Sequence, residues 1–248
     1  MMLKIFKVLA ACLLLITNTV KSEQVIMAFG EKIPPFCFPE TNTGIELEII
    51  GEALAFRGHT LVPKYFPLGR VPSAFISRHV DAAMTDMGQD MSVHGGYYGD
   101  PAVIYENVFI TLKERHIKIK KPQDLYNLSI ISFQGALKRY PDWLTMPEKI
   151  GRYKEHSNQE LQVQTLYRGR YDVVLSDRNI FRYFMLKRKN DTGEVLKEID
   201  IHEFIQLNPL DYRPLFRSPQ IRDDFNIGLQ LLKQSGRFQD IYDKYLKE

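Results

Sequence analysis

Cysteine is nearly absent from this chain. Of its two cysteines, Cys12 lies in an apolar N-terminal stretch and Cys37 stands alone beyond it. The folded part therefore cannot close an internal disulfide in any compartment, and a lone thiol of this kind is expected as a small buried hydrophobe. Long apolar runs are missing too: the longest, residues 8–16, falls well short of the roughly 20 residues that span a bilayer. No block of like charge suggests a nucleic-acid tail. The six histidines, His59, His79, His94, His116, His156 and His202, never adopt an H-x-x-x-H spacing, so no metal site is expected. Nucleophile elbow, phosphate loop and Ser-His-Asp order are likewise missing, and no cofactor is expected.

What is present begins with a leader. Lys4 and Lys7 precede the apolar run, and a small polar stretch follows it, the pattern of a cleaved secretory signal peptide over residues 1–22. A lipid-attachment reading of "LAAC" leaves too short an apolar segment before Cys12 and strands "LLLI" after it. Losing the leader removes three of the 33 basic residues and none of the 30 acidic ones. The remaining chain is close to neutral and offers no electrostatic case for DNA, RNA or anionic lipid.

From residue 24 onward short apolar runs alternate with amphipathic stretches, which predicts an α/β architecture. "VIMAF" predicts a first strand and "GIELEIIGEALAFRG" a helix ending at Gly58. "TLVPKYF" predicts a strand that Pro63 assigns to a sheet edge. "VDAAMT" and "DVVLS" predict buried strands. "SNQE" (157–160) has the form of a capping box, and Ser218 with Pro219 marks the start of a long helix closed by Gly236. One sentence is written twice: "SRHVDAAMTDMG" from residue 77 and "RGRYDVVLSDRN" from residue 168. Each gives a polar turn, an Asp (Asp81, Asp172), an apolar run and a second Asp (Asp86, Asp177). The pattern predicts a duplicated unit that delivers a polar residue to the carboxyl end of a buried strand, where ligands of open α/β sheets bind. Asp81 and Asp172 are expected to serve turns.

The ordered set "IPPFCF", "TGIELEIIGEALAFRG", "RHVDAAM", "YGDPAVIYENVFIT", "DLYNLSIISFQGA", "LYRGRYDVVLSD" and "FNIGLQLLKQSGRFQDIYDKYL" resembles the bacterial periplasmic solute-binding proteins of family 3. The resemblance covers the whole chain after the leader. It implies a two-lobed periplasmic binding protein type II fold: two open α/β lobes joined by a two-crossing hinge. Lobe one would take residues 23–110 and 206–248, lobe two residues 111–205, with crossings near 109–113 and 202–206. Amino-acid binders of that family hold the ligand ammonium with an Asp of the second lobe, present here as Asp177. They hold the carboxylate with an Arg before the first crossing, and here "MGQDMSVHGGYYGDP" offers no basic residue but His94. A bidentate carboxylate clamp needs a guanidinium, which argues against a free α-amino acid held in the family's usual manner.

The candidate ligand-binding residues are accordingly Asp177, Arg70, Asp86, Phe36, Tyr98, Gln134 and Gly135. Arg70 starts a helix and would take over anion recognition; Asp177 also suits an N-cap. Gln134 and Gly135 form a strand-to-helix turn whose free N–H groups attract anions. Phe36 and Tyr98, with Phe38, Tyr65, Phe66 and Tyr97, supply aromatic faces, and Arg178 is expected on the surface. The implied function is a non-enzymatic periplasmic receptor for a small polar or aromatic-bearing molecule. It would act as a monomer and serve an inner-membrane ABC permease or a sensor. The alternatives are a dehydratase of cyclohexadienyl acids with Asp86, Asp177 or Glu106 as general acid, and a signalling or envelope protein that has lost binding.

Overall fold

Apolar runs too short for helices and amphipathic runs too long for strands alternate along the chain, and they assemble two separate five-stranded sheets. A computed structural model describes residues 22–84, 90–205 and 212–247. In chain order the first sheet takes β1 (Gln24–Gly30), β2 (Thr60–Phe66), β3 (Ala82–Met84) and β4 (Tyr97–Tyr98), with α1 (Ile45–Ala55) and α2 (Val71–Ile76) between them. The second takes β5 (Asn107–Leu112), β6 (Ile130–Ser132), β7 (Tyr153–Glu155), β8 (Val173–Asp177) and β9 (Ile199–His202). Its helices are α3 (Ala136–Arg139), α4 (Pro141–Lys149), α5 (Glu160–Tyr167) and α6 (Arg178–Thr192). The chain then returns as β10 (Pro214–Phe216), α7 (Pro219–Gln234) and α8 (Arg237–Leu246).

The strand orders are β2-β1-β3-β10-β4 and β7-β6-β8-β5-β9. In the first sheet β1 pairs in parallel with β2 and β3 and the returning β10 is added antiparallel to β3; in the second β6 pairs in parallel with β7 and β8 and the entering β5 lies antiparallel to β8. Pro63 sits on the edge strand β2, where its missing N–H breaks no ladder. β5 pairs with β8 and β9 from Asn107 to Leu112. By sheet membership the first crossing therefore precedes Asn107, ahead of the expected 109–113. The return follows His202, and the end of the expected second crossing, Gln206, lies outside the described residues.

The duplicated sentence is a duplicated joint. Asp81 donates its N–H to Ile26 O (2.7 Å) and accepts from Ile26 N on its carboxylate (3.0 Å), stitching β3 to β1. Asp172 donates to Ser129 O (2.9 Å) and accepts from Ser129 N and Oγ (2.9 and 2.7 Å), stitching β8 to β6. Both work as joints between neighbouring strands, not as the turns expected of them. Ser218 caps α7 through Ile221 N, with Pro219 in the first turn and Gly236 at φ 81° beyond its end. The capping box at Ser157 is not formed. His156 Nδ1 accepts the N–H of Asn158, and Asn158 Oδ1 receives the N–H of Leu161 (3.3 Å), so the asparagine does the capping and the serine is bypassed.

One buried cluster runs from the first sheet's α1, α7 and α8 into α5, α6 and one face of the second sheet, taking in Ile49, Phe225, Ile241, Phe181 and Val108. Phe38 lies at the seam, stacked on Tyr245 (5.8 Å) and edge-on to Tyr183 of α6 (5.7 Å). Cys37 is buried beside it, and burial followed by the Glu46 charge pushes its thiol up to about 12. It is an inert hydrophobe, as expected.

α1 and α7 touch backbone to backbone at Gly228, where an added Cβ would lie 1.8 Å from Ala53 O. Neither helix can yield without parting from its sheet. Gly228→Ala is expected to cost about 3 kcal/mol in urea unfolding, and a loss near zero would show that the close approach is not real.

Candidate functional site

The carboxyl end of β8 delivers Asp177 to the start of α6. Its Oδ1 accepts the N–H groups of Asn179 and Ile180, both at 2.9 Å, which caps the helix. Its Oδ2 accepts the N–H of Glu106 at 2.6 Å. Glu106 immediately precedes β5, so a single carboxylate ties the second lobe's central helix to the first crossing. The side chain is only 2% exposed. Burial pushes the carboxyl up to about 7 against the pull of these three donors. A cap and a ligand acceptor can be one group in principle, but in this conformation Asp177 is spent on the cap and the crossing.

Arg178, the next residue, donates to Glu106 Oε1 and to Glu203 Oε1, both at 2.8 Å. Glu203 follows β9, so one guanidinium spans the outgoing and returning segments. Arg178 is partly buried between them rather than on the open surface expected for it. The site's other pairing is neutral: Asn107 lies opposite Asp177 in the sheet and donates from Nδ2 to the Tyr140 hydroxyl at 2.9 Å.

An aromatic chain crosses the same place. Phe36, from the loop after β1, packs on Tyr105 with ring centres 4.2 Å apart, and Tyr105 packs on Tyr212 at 4.7 Å. Arg139 of α3 donates to the Tyr212 hydroxyl at 2.6 Å, with its guanidinium over that ring. Phe36 is therefore at the seam but fully buried under Tyr105.

Gln134 and Gly135 turn β6 into α3, with Gly135 at φ 90°, a conformation that suits only glycine well. The N–H donors of this turn already hold a carboxylate. Gly135 N lies 2.7 Å from Glu155 Oε2 and Leu137 N lies 2.9 Å from Oε1. Gln134 Nε2 (3.1 Å) and the Tyr153 hydroxyl (2.9 Å) complete the set. Burial alone would raise the Glu155 pKa, but the donations from Gly135, Leu137 and Tyr153 outweigh it and hold it below the usual carboxylate range.

Asp177 and Phe36 meet the crossing at residues 105–107 through Glu106 and Tyr105; Gln134 and Gly135 bond Glu155 instead, and α3 reaches the crossing only at its far end, where Arg139 holds Tyr212. Arg70 and Tyr98 do not join them. Arg70 is exposed at the start of α2, with no side-chain partner among the described residues. The Tyr98 hydroxyl accepts from Met91 N (2.9 Å), and Arg213 covers its ring (5.2 Å). Asp86 lies outside the described residues. Tyr105, Tyr212, Arg139 and Glu155 were not among the sequence candidates. Glu155 was accessible in principle, as the residue that ends a strand on the same sheet edge as Gly135, but "YKE" is too short and polar to be seen as a strand. Among the described residues no three His, Cys, Asp or Glu side chains group to hold a metal ion, and no helix is long and apolar enough to cross a membrane.

Neither a protein-family model nor a curated protein sequence matches the chain. Solved structures do. Lactococcus lactis GlnP substrate binding domain 2, in an open conformation, superposes with a TM-score of 0.64 at 20% identity, covering 92% of this chain and 97% of that one. ArgBP from T. maritima, in a mutant form, gives 0.62 at 17%, covering 91% and 96%. An ancestral amino acid-binding protein, described as a precursor of cyclohexadienyl dehydratase, gives 0.63 at 16%, covering 90% and 96%. The fold is that of the two-lobed solute-binding proteins. At these identities the likeness speaks for architecture, and function rests on the site itself.

The raised carboxyl of Asp177 favours protonation in the folded state. Its contribution to stability is complete below its ordinary value of 3.8 and is lost as pH climbs through about 7. Asp177→Asn cannot titrate. The stability difference between wild type and this variant should therefore move against the wild type from about pH 4 to pH 7. A difference constant with pH would contradict the burial of this charge.

Proposed function

We propose that the protein is a solute-binding receptor whose two lobes close on a small molecule between their strand ends. The observation that carries this is the meeting of the β8 end and the loop after β1 at one crossing between two separate sheets. Ligands of open α/β sheets bind at such ends, and segments that link two lobes without a shared sheet are where hinge closure takes place. Closure would expel water from the seam and strengthen the few polar contacts left inside it. The lobes divide ahead of Asn107 and in the segment after His202. The leader places the receptor in the periplasm, where it acts as a monomer and passes its solute to an ABC permease or presents it to a sensor.

A second reading draws on the Asp177 carboxyl. A group near neutrality suits general-acid chemistry, and the ancestral neighbour is described as a precursor of a dehydratase. Asp177, buried and holding three N–H groups, would have to be released before it could reach a substrate. Glu106, the other described candidate, is held by Arg178.

A thermal-shift screen over amines, amides, aromatic compounds, amino acids and cyclohexadienyl acids separates these readings. A receptor gains about 2.7 kcal/mol of stability at a hundredfold excess of ligand over Kd, and its radius of gyration in X-ray scattering falls with the same compound. A dehydratase instead consumes a cyclohexadienyl acid. A protein that responds to no compound in either assay is neither, and keeps the fold without the binding.

A further inference from the structure

Summed over its length the chain beyond the leader is neutral, and a neutral sum gives no case for an anionic partner. The field at a surface depends instead on where the charges sit. The starts of the parallel strands β6, β7 and β8 lie in one row, since Ile130 is in register with both Tyr153 and Val173. β5 runs antiparallel to β8 and ends at Leu112 in the same row. Three linkers lead into this row: residues 113–129, 150–152 and 168–172. They touch one another, Arg115 lying against Gly169 and Arg152 donating to Asn127 O at 3.2 Å. Together they carry eight basic residues and three acidic ones. With the last turn of α4 (Glu148, Lys149) and the segment before β9 (Glu194, Lys197, Glu198), this pole of the second sheet has ten basic residues against six acidic, and the rest of the chain carries the opposite excess.

Five of the six acids are already engaged. Glu198, Glu114, Asp172 and Glu194 pair with Lys113, Lys197, Arg115 and Arg188, and Asp124 accepts the backbone N–H groups of Lys120 and Lys121. Lys118, Lys120, Lys121, Arg168 and Arg170 are exposed, and their side chains have no ion pair among the described residues. A cation at the end of α5 answers the helix dipole, which accounts for Arg168 and Arg170 but not for the three lysines, whose segment follows a strand. Apolar side chains stand out of the same pole. Ile150, between Lys149 and Arg152, is 45% exposed, and Val195 is 84% exposed; they precede β7 and β9, the two edge strands. An acidic protein segment or a nucleic acid would use the cations and leave these apolar tips in water. A lipid surface uses both, taking the cations at its headgroup phosphates and the tips at the acyl boundary.

We propose that this pole docks on an anionic phospholipid surface and holds the protein at a membrane through Lys118, Lys120, Lys121, Arg168 and Arg170. Asp177 and the Gly135 turn lie at the far ends of β8 and β6, so docking leaves them clear of the surface. The inference stands independently of the receptor reading.

The test is vesicle co-sedimentation of the purified protein with its leader removed. One set of vesicles is about one-third phosphatidylglycerol in phosphatidylcholine and the other is phosphatidylcholine alone. Binding is expected to the first set only and should fall steeply as salt is raised, because exposed charges are screened. A basic residue near an anionic surface is worth about fivefold in partitioning, so Arg168→Ala with Arg170→Ala should weaken binding about twenty-five-fold at an unchanged melting temperature. Removing two charges from the first lobe, by Lys64→Ala with Lys233→Ala, should leave binding as it is. Lys120→Gln with Lys121→Gln serves the same comparison should the arginine variant not fold. Equal binding to both vesicle sets, no binding to either, or an equal loss in the two lobes' variants overturns the proposal. So does capture by immobilised polyglutamate without binding to vesicles, which would make the partner an acidic protein segment.

Discussion

A buried carboxylate needs donors, and the position of Asp177 follows from where it finds them. Two come from the first turn of α6 and the third from Glu106, on the segment that carries the chain into the second sheet. Moving this segment relative to α6 would strip a buried carboxyl of a donor, at a cost of about 1–3 kcal/mol. The crossing, the central strand and the helix behind it therefore behave as one piece. Arg178 extends the same piece to Glu203 on the returning segment, though at about a third exposed its two ion pairs are worth little individually. The rest of the seam, including Tyr105 and the rings it contacts, is placed by this fixed segment.

The same principle recurs at two strand ends of the second sheet and in the loop after β1 of the first: polar or aromatic groups there are satisfied by the chain. Asp177 is turned onto backbone N–H groups, the Gly135 turn onto Glu155, and Phe36 under Tyr105. The fold of the solute-binding proteins is kept, with Asp177 and the Gly135 turn held by the chain's own groups. Architecture and choice of solute are separable, because one fold can carry different side chains at its strand ends.

Much of the architecture was legible in the sequence because it is written in local terms. The repeated Asp before an apolar run marks the starts of β3 and β8, although the bonds Asp81 and Asp172 make there, to Ile26 and Ser129, are not local in the chain. Pro63 on an edge, and Ser218 with Pro219 at a helix start, are local signals. The site was legible only in part, since its contacts join residues far apart in the chain. Phe36 was expected to offer its face to a ligand, and Tyr105, nearly seventy residues on, covers it. Glu155 escaped notice because β7 is three residues long with no apolar alternation, and Ser157 drew attention to a cap that Asn158 supplies. Arg70 looked suitable by type and position, yet nothing in its surroundings brings it to the crossing.

The account stands on the claim that strand-end donors are held by the chain's own carboxylates in the ligand-free protein. Amide hydrogen exchange at Gly135 measures this directly, because the residue is exposed and its N–H partner among the described residues is Glu155. The account predicts slow exchange at Gly135 and Leu137 in the wild type and fast exchange at both in Glu155→Ala, with the rest of the second sheet unchanged. Fast exchange at Gly135 in the wild type would contradict it.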